Sequence, residues 1–477
     1  MNRHSFDPTI LRAYDIRGIY EQTLHGEDAF AIGIAFAAMQ QDRGFGPRVA
    51  VGRDGRLSSP ALAAQLAEGL QAGGAEVIDI GCGPTPMLYF ATHELDTGGA
   101  IQVTGSHNPP THNGFKMVMG GHSFFGDDIS ALGEASRAGV ARRSGGMMRH
   151  EDIQPAYIDR LASGARASGL SVIWDCGNGA SGPVTEALVD RLDGQHKVLF
   201  PDIDGTFPNH HPNPVDPETL DLLRAEVAEA GADLGIGFDG DGDRIGVIDA
   251  TGRQVPGDFL TAYLAQDIAT RHAGAPIILD VKSSEAALRL IGDCGGTAEI
   301  WKTGHSHMKR RMKEISAPLA GEMSGHIFIK DGYLGFDDAI YAGARVITQM
   351  VETGQSITAF MDSLPVQHAT PELRIDCEDT RKFGAMDRIH SHVLTRHDEA
   401  NVNAIDGVRV RSAAGWWLIR ASNTEAALVA RAEAGSAAGL EQLVDEIRTT
   451  LKAAGLDWHH PLPASSLTGI IPDRHHL

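Results

Sequence analysis

Two short apolar runs, Leu234 to Phe238 and Ile245 to Ile248, enclose the hexad Asp239-Gly240-Asp241-Gly242-Asp243-Arg244. Runs of this length read as strands, so the hexad is the loop of a strand–loop–strand unit, with three carboxylates at alternate positions. The intervening glycines free the backbone, and the oxygens of Asp239, Asp241 and Asp243 can turn inward on a hard cation such as Mg²⁺. Without a cation, each carboxylate pair at ~5 Å would repel by roughly 3 kcal/mol at an effective dielectric of about 20. The alternative is a solvated acidic turn, in which water cuts that repulsion to below about 1 kcal/mol. An EF-hand would need glycine in place of Arg244 and glutamate in place of Ala250. Gly235-Ile236-Gly237-Phe238-Asp239-Gly240 matches a dinucleotide fingerprint, but that pattern must open a helix and here a second apolar strand follows.

Similar strand, loop and helix alternations fill much of the chain. At 477 residues it is long enough for three or four domains. The first unit contains Arg48 to Val51, a helix opening at Ser59-Pro60 with Ser59 as its cap, and strands at Glu76 to Ile80 and Ala100 to Val103. The pattern restarts after the polar stretch Arg142 to Asp152, with strands at Val172 to Asp175 and Leu234 to Phe238. It restarts again after Gly252, with Ile277 to Val281, a helix capped near Ser283 or Ser284, Ala298 to Trp301, and Leu319 to Glu322. From about residue 370, strands at Val408 to Arg411, Trp416 to Arg420 and Ala427 to Ala432 precede a helix at Leu440 to Ala453. The expected architecture is three α/β domains, 1–150, 151–252 and 253–368, then an α+β domain, 369–460, and a tail, 461–477. No repeat of fixed period is visible, so likeness among the first three would be structural.

The net charge of −21 disfavours nucleic acid and anionic membrane surfaces as partners. The basic run Lys309-Arg310-Arg311-Met312-Lys313 reads as a solvated helix face. Cys82, Cys176, Cys294 and Cys377 are widely spaced and form no C-x-x-C pair, which suits a reduced cytoplasm. The longest apolar run, Ala29 to Met39, is about half the ~20 residues of a membrane span and is expected to be a buried helix. No signal-peptide apolar region opens the sequence. A cytoplasmic enzyme is expected.

Ser106 lies in Thr104-Gly105-Ser106-His107-Asn108-Pro109-Pro110, where the prolines prevent a helix or ladder from starting. Its hydroxyl is expected to be exposed, with His107 and Lys116 available to meet growing charge. No G-x-S-x-G elbow supports acyl transfer, and phosphoryl chemistry suits the aspartate loop better. Arg420-Ala421-Ser422-Asn423-Thr424 offers a guanidinium, hydroxyls and an amide suited to a phosphate dianion, although Ser-Asn-Thr is also ordinary turn chemistry. Lys302 to Ser306 and Gly321 to His326 are further polar loops after apolar strands.

Taken in order, Arg12-Ala13-Tyr14-Asp15-Ile16-Arg17-Gly18, the Ser106 loop, the aspartate loop, Gly321-Glu322-Met323-Ser324-Gly325-His326 and Arg420 to Thr424 resemble the α-D-phosphohexomutase family. The likeness is to its bacterial phosphomannomutase/phosphoglucomutase branch and runs nearly the whole chain. It implies four domains around a central cleft, the first three with mixed sheets. It implies that a phosphorylated Ser106 moves a phosphoryl group between positions 1 and 6 of a hexose through a bound hexose 1,6-bisphosphate. Ser106, Asp239, Asp241 and Asp243 would hold one Mg²⁺, while Arg244 and Lys116 steady the charge. Glu322 and Ser324 would hold sugar hydroxyls, and Arg420, Ser422, Asn423 and Thr424 the phosphate that is not reacting. Tyr14 joins the substrate-binding set. The resemblance implies a general base in the neighbourhood of Lys282, His305, His326 and Arg17, without singling one out. Met323 resembles the branch that accepts glucose and mannose phosphates, and Thr104-Gly105 differs from phosphoglucosamine mutases. Ala426 departs from a frequent proline and Ser283 from a frequent cysteine. A monomer is expected. A metal-dependent phosphatase and a silent sugar-phosphate binder are the alternatives.

Overall fold

The structure is a computed structural model that describes residues 1–422 and 426–458. Its first three sheets share one strand order. In the first, Arg48–Arg53 lies between Glu76–Cys82 and Gly99–Val103, parallel to both, and His112–Met119 returns antiparallel beside Gly99–Val103. In the second, Ser171–Asp175 lies between Gln195–Leu199 and Leu234–Phe238, and Ile245–Asp249 returns. In the third, Pro276–Asp280 lies between Thr297–Trp301 and Leu319–Gly321, and Ile327–Ile329 returns. The returning hairpin loop is in each case a polar segment singled out above: 104–111, 239–244 and 322–326. Likeness absent from the letters is therefore present in the topology.

These central strands are apolar because helices cover both faces, as the fully buried Leu234–Phe238 illustrates. The apolar run at Ala29 to Met39 lies within the helix Gly26–Asp42, which packs on Ser59–Ala72. Glycine lets the two backbones meet: a Cβ on Gly33 would strike Leu66 O, and one on Gly69 would strike Phe30 O. Ser59 does not cap its helix. It is the first helical residue, and its hydroxyl donates to Asp54 Oδ1 at 2.5 Å. Ser284 does cap Glu285–Asp293, accepting from Ala286 N.

Three details escaped the sequence reading. The polar stretch at 142–152 holds an edge strand, Met147–His150, parallel to Glu76–Cys82; all four residues are exposed, so no alternation marks it. The fourth unit has a second helix, Asp379–Leu394, whose sparse buried stripe is Lys382, Ala385, Ile389 and Val393. Its antiparallel sheet otherwise runs as expected through Val408–Arg411, Gly415–Ala421 and Ala427–Ala434. The basic run is in part the solvated face expected, with Arg310 and Lys313 exposed, and in part a seam with the first unit. Lys309 reaches Asp337 at 2.8 Å and lies 4.2 Å from the Tyr89 ring centroid; Arg310 covers Phe125, and Lys313 donates to Gly121 O.

The fourth unit is fastened to the third by Arg409. Buried over Trp416 at 3.8 Å, its guanidinium donates to Val281 O (2.6 Å), Ser283 O (2.9 Å) and Glu285. Among the described residues no helix is long and apolar enough to cross a membrane. Asn423, Thr424 and the tail from 461 lie outside the described residues.

Candidate active site

The hairpin loops of the first three sheets and the near face of the fourth line one cavity of about 1540 Å³. Tyr14, Arg17, His107, Lys116, Arg244, Lys282, His305, Glu322, Ser324, His326, Arg420 and Ser422 all border it. Ser106 and the three aspartates are buried beside it, with Ser106 only 1% exposed. The expectation of an exposed hydroxyl is thus corrected: the loop folds inward, and Ser106 Oγ donates to Asp239 Oδ2 at 2.8 Å. His107 Nδ1 is 3.2 Å from Ser106 Oγ.

Arg56 holds this loop. Its guanidinium, itself buried, donates to the carbonyls of Ser106 (2.7 Å), Asn108 (2.6 Å), Pro109 (2.6 Å) and His112 (3.0 Å). Asp54 pairs with Arg56 at 3.2 Å and accepts from Thr104 Oγ1 and Gly105 N. The grip holds Ser106 at φ +50°, a left-handed conformation that costs a non-glycine residue roughly 1–2 kcal/mol. Gly105 leaves room for Arg56, and a Cβ on Gly240 would lie 2.6 Å from Ser106 O, so glycine lets the serine and aspartate loops interlock. Sequence reasoning missed Arg56 and Asp54 as site residues; an Asp-Gly-Arg directly after a strand was their signal.

The aspartate loop is crowded with negative charge. Asp239 Oδ1 accepts from the backbone N–H groups of Asp243 (3.1 Å) and Arg244 (3.2 Å). Lys116, on the returning strand of the first sheet, donates to Asp241 Oδ2 at 2.7 Å and to Asp243 Oδ2. Thr85, also missed, donates to Asp241 Oδ2 at 2.5 Å. Burial and repulsion from Asp241 and Asp243 push the Asp239 carboxyl well above its ordinary range. Burial opposes the charge of Asp241, but Lys116 and the Thr85 hydroxyl together outweigh it and hold that carboxyl below its ordinary range. The Lys116 ammonium is pushed up in turn, burial being outweighed by Asp241 and Asp243.

One ammonium does not balance three buried carboxylates. Candidate ligand atoms of Asp239, Asp241 and Asp243 lie within 4.8 Å of one another, and Asp241 Oδ1 and Asp243 Oδ1 have no hydrogen-bond partner among the described residues. An all-oxygen set of this kind fits a hard divalent cation. Asp241→Asn should weaken divalent-cation binding at least about tenfold, as read by isothermal titration of the full chain.

The expected base candidates are not equivalent. Arg17 is paired with Asp15 at 2.7 Å. Lys282 bridges to Glu372 at 2.9 Å; burial opposes its charge, but Glu372 and Asp280 outweigh burial and push its pKa up. A lysine so held is not poised to accept a proton, so Lys282→Arg should leave the pH profile of turnover in place. Burial first, then Lys309, pushes His305 well below its ordinary value. Burial and the cations Arg244, Arg17 and Lys116 do the same to His107. His326 Nε2 accepts from Arg244 Nε at 3.1 Å, so its ring proton sits on Nδ1, which is 3.2 Å from Asp243 O and 3.1 Å from Asp337 Oδ2.

On the far side, Glu322 accepts from Gly304 N and Ser324 Oγ, both at 3.1 Å, and burial raises its pKa. Tyr14 donates to Thr303 O at 2.9 Å and packs against Gly304. Arg420 is aimed by Asp406, at 3.1 Å, and Ser422 O accepts from Lys382. Arg431, which the sequence did not single out, also borders the cavity and donates to Lys282 O.

An interlocked serine–aspartate floor thus faces a basic wall across one cavity. Family profiles described as phosphoglucomutase/phosphomannomutase alpha/beta/alpha domains I, II and III match residues 8–138, 155–252 and 256–368, and the C-terminal domain profile matches 372–450. The chain belongs to the phosphoglucomutase/phosphomannomutase family, a branch of the α-D-phosphohexomutases. It is 45% identical to a phosphomannomutase/phosphoglucomutase of Pseudomonas putida over 93% of this chain and 95% of that protein. It is 38% identical to a phosphoglucomutase of Neisseria gonorrhoeae, over 93% and 97%. A crystal structure of a family member from Burkholderia thailandensis superposes with a TM-score of 0.89 at 39% identity, covering 96% of this chain and all of that one.

Proposed function

We propose that this enzyme, a mutase of the isomerase class, interconverts the 1- and 6-phosphates of mannose, glucose or both through a phosphorylated Ser106. The carrying observation is the 2.8 Å contact between Ser106 Oγ and a carboxylate of a buried triad. A hexose 1,6-bisphosphate loads the serine. In the forward half-reaction the bond from phosphorus to Ser106 Oγ breaks as one forms to a sugar hydroxyl. That hydroxyl's proton passes to His326 Nε2 once substrate displaces the Arg244 contact. The bound 1,6-bisphosphate turns over, and its other phosphoryl group returns to Ser106 while His326 gives the proton back. Mg²⁺, held by Asp239, Asp241 and Asp243 with the Ser106 phosphate, would neutralise charge on the transferring oxygens.

The residues at hand divide the remaining work. Arg244 and Lys116 steady charge, and His107 stays neutral beside Ser106. Asp337, at Nδ1, orients His326 for proton transfer through Nε2. Glu322 and Ser324 hold sugar hydroxyls, with Tyr14, Arg17 and His305 completing the wall. Arg420 and Ser422, with Asn423 and Thr424, clamp the spectator phosphate, and Lys282 fixes this side through Glu372. Positioning and electrostatics thus supply most of the rate. His326→Asn should lower kcat by roughly 10²–10⁴-fold, because general base catalysis has that worth.

We take the units to be 1–150, 151–252, 253–368 and 369–460, a reading supported by one sheet in each. One chain carries every named group, which supports a monomer. Four free cysteines support a reducing, cytoplasmic setting. The test against a phosphatase is to incubate full-length protein and Mg²⁺ with glucose 1-phosphate and a trace of glucose 1,6-bisphosphate, following isomer and inorganic phosphate together. Conversion to the 6-phosphate without phosphate release is expected. Stoichiometric phosphate release would assign a hydrolase, and neither product a binder.

A further inference from the structure

Behind His326 lies a second cluster of donor atoms. Asp337 is fully buried; Lys309 donates to its Oδ1 at 2.8 Å, which leaves Oδ2 turned toward His326 Nδ1. Asp243 repeats the pattern, with Lys116 on Oδ2 and Oδ1 unpartnered. His326 Nδ1 stands 3.1 Å from Asp337 Oδ2 and 3.7 Å from Asp243 Oδ1. His305 stacks on His326 with ring centroids 5.7 Å apart and places Nδ1 3.8 Å from Asp337 Oδ2. Both His305 ring nitrogens are buried and unpartnered among the described residues. Two carboxylate oxygens and a spare imidazole thus converge on one side of His326.

Four donors about 2.0–2.1 Å from a tetrahedral ion stand ~3.3 Å apart. Among Asp243, His326 and Asp337 the separations of 3.1 and 3.7 Å come near those edges, and the candidate ligand atoms all lie within 4.8 Å of one another. His305 stands further out, 3.8 Å from Asp337 Oδ2, as the donor that would close in on a bound ion. The mixed nitrogen and oxygen set suits Zn²⁺ or Co²⁺ better than Mg²⁺, which favours the all-oxygen triad.

We propose that Asp243, His326, Asp337 and His305 form a second, inhibitory site for a borderline divalent transition metal, joined to the oxygen triad through Asp243. Binding at His326 Nδ1 uses that nitrogen's lone pair. The single ring proton then moves to Nε2, so the Arg244 N–H loses its acceptor and the ring can no longer take a proton from substrate. Inhibition rests on the base role proposed for His326; binding does not.

The test is a Co²⁺ titration of the full chain in saturating Mg²⁺, read by visible absorption and by metal content after gel filtration. One Co²⁺ per chain in a four-coordinate nitrogen–oxygen environment is expected, with Mg²⁺ retained. Asp337→Asn should abolish that Co²⁺ while keeping Mg²⁺, which also reports that the variant is folded. His305→Ala should weaken Co²⁺ more than about tenfold. No uptake beside Mg²⁺, one-for-one displacement of Mg²⁺, or uptake unchanged in both variants would overturn the site. Binding as expected without loss of turnover would leave the site standing and remove the role of His326.

Discussion

Ser106→Ala should lower kcat by about 10⁴-fold or more, the scale of losing a nucleophile whose partners stay in place. The change removes one oxygen from a packed interior, and the main-chain grip by Arg56 does not depend on that oxygen. A normal thermal transition should therefore accompany the loss of turnover, with Mg²⁺ still held, though less tightly, through the three aspartates. That combination separates a missing phosphoryl acceptor from a collapsed loop. Steady-state assay with coupled detection of the 6-phosphate measures the first, and calorimetry the second.

Arg56→Met should destabilise the first unit by about 3–5 kcal/mol, since it breaks a buried ion pair and leaves Asp54 without its countercharge. Four loop carbonyls lose their donor at the same time, so the left-handed Ser106 is no longer held. Turnover should fall with stability even though Arg56 touches neither substrate nor ion. Arg56→Lys is the informative companion: it keeps the charge but cannot fork to several carbonyls, and should recover stability more fully than activity. Thermal unfolding and kcat, measured on the same preparations, check both.

The two variants mark the border between what could be read in the residues and what could not. Ser106, Lys116 and the three aspartates announced themselves because glycines, prolines and apolar strands fix a hairpin loop from local pattern alone. Arg56, Thr85 and Asp337 did not, because their importance comes from partners 50, 156 and 11 residues away respectively. Burial of the Ser106 hydroxyl was missed for the same reason: the Asp239 carboxylate that draws it inward belongs to another sheet. The basic run at 309–313 was legible as an exposed face but not as a seam, because charge pattern does not show which aromatic rings will lie beneath it. Parallel strands buried on both faces were legible as apolar runs, whereas the exposed edge strand Met147–His150 carried no period to find.

The most direct measurement is intact mass, followed by peptide mapping, of the full chain after brief exposure to glucose 1,6-bisphosphate and Mg²⁺. One added phosphoryl group, confined to the peptide carrying Ser106 and lost to glucose 1-phosphate at least as fast as turnover, is the predicted result. An unmodified chain under turnover, or a phosphoryl group on another peptide, would contradict it.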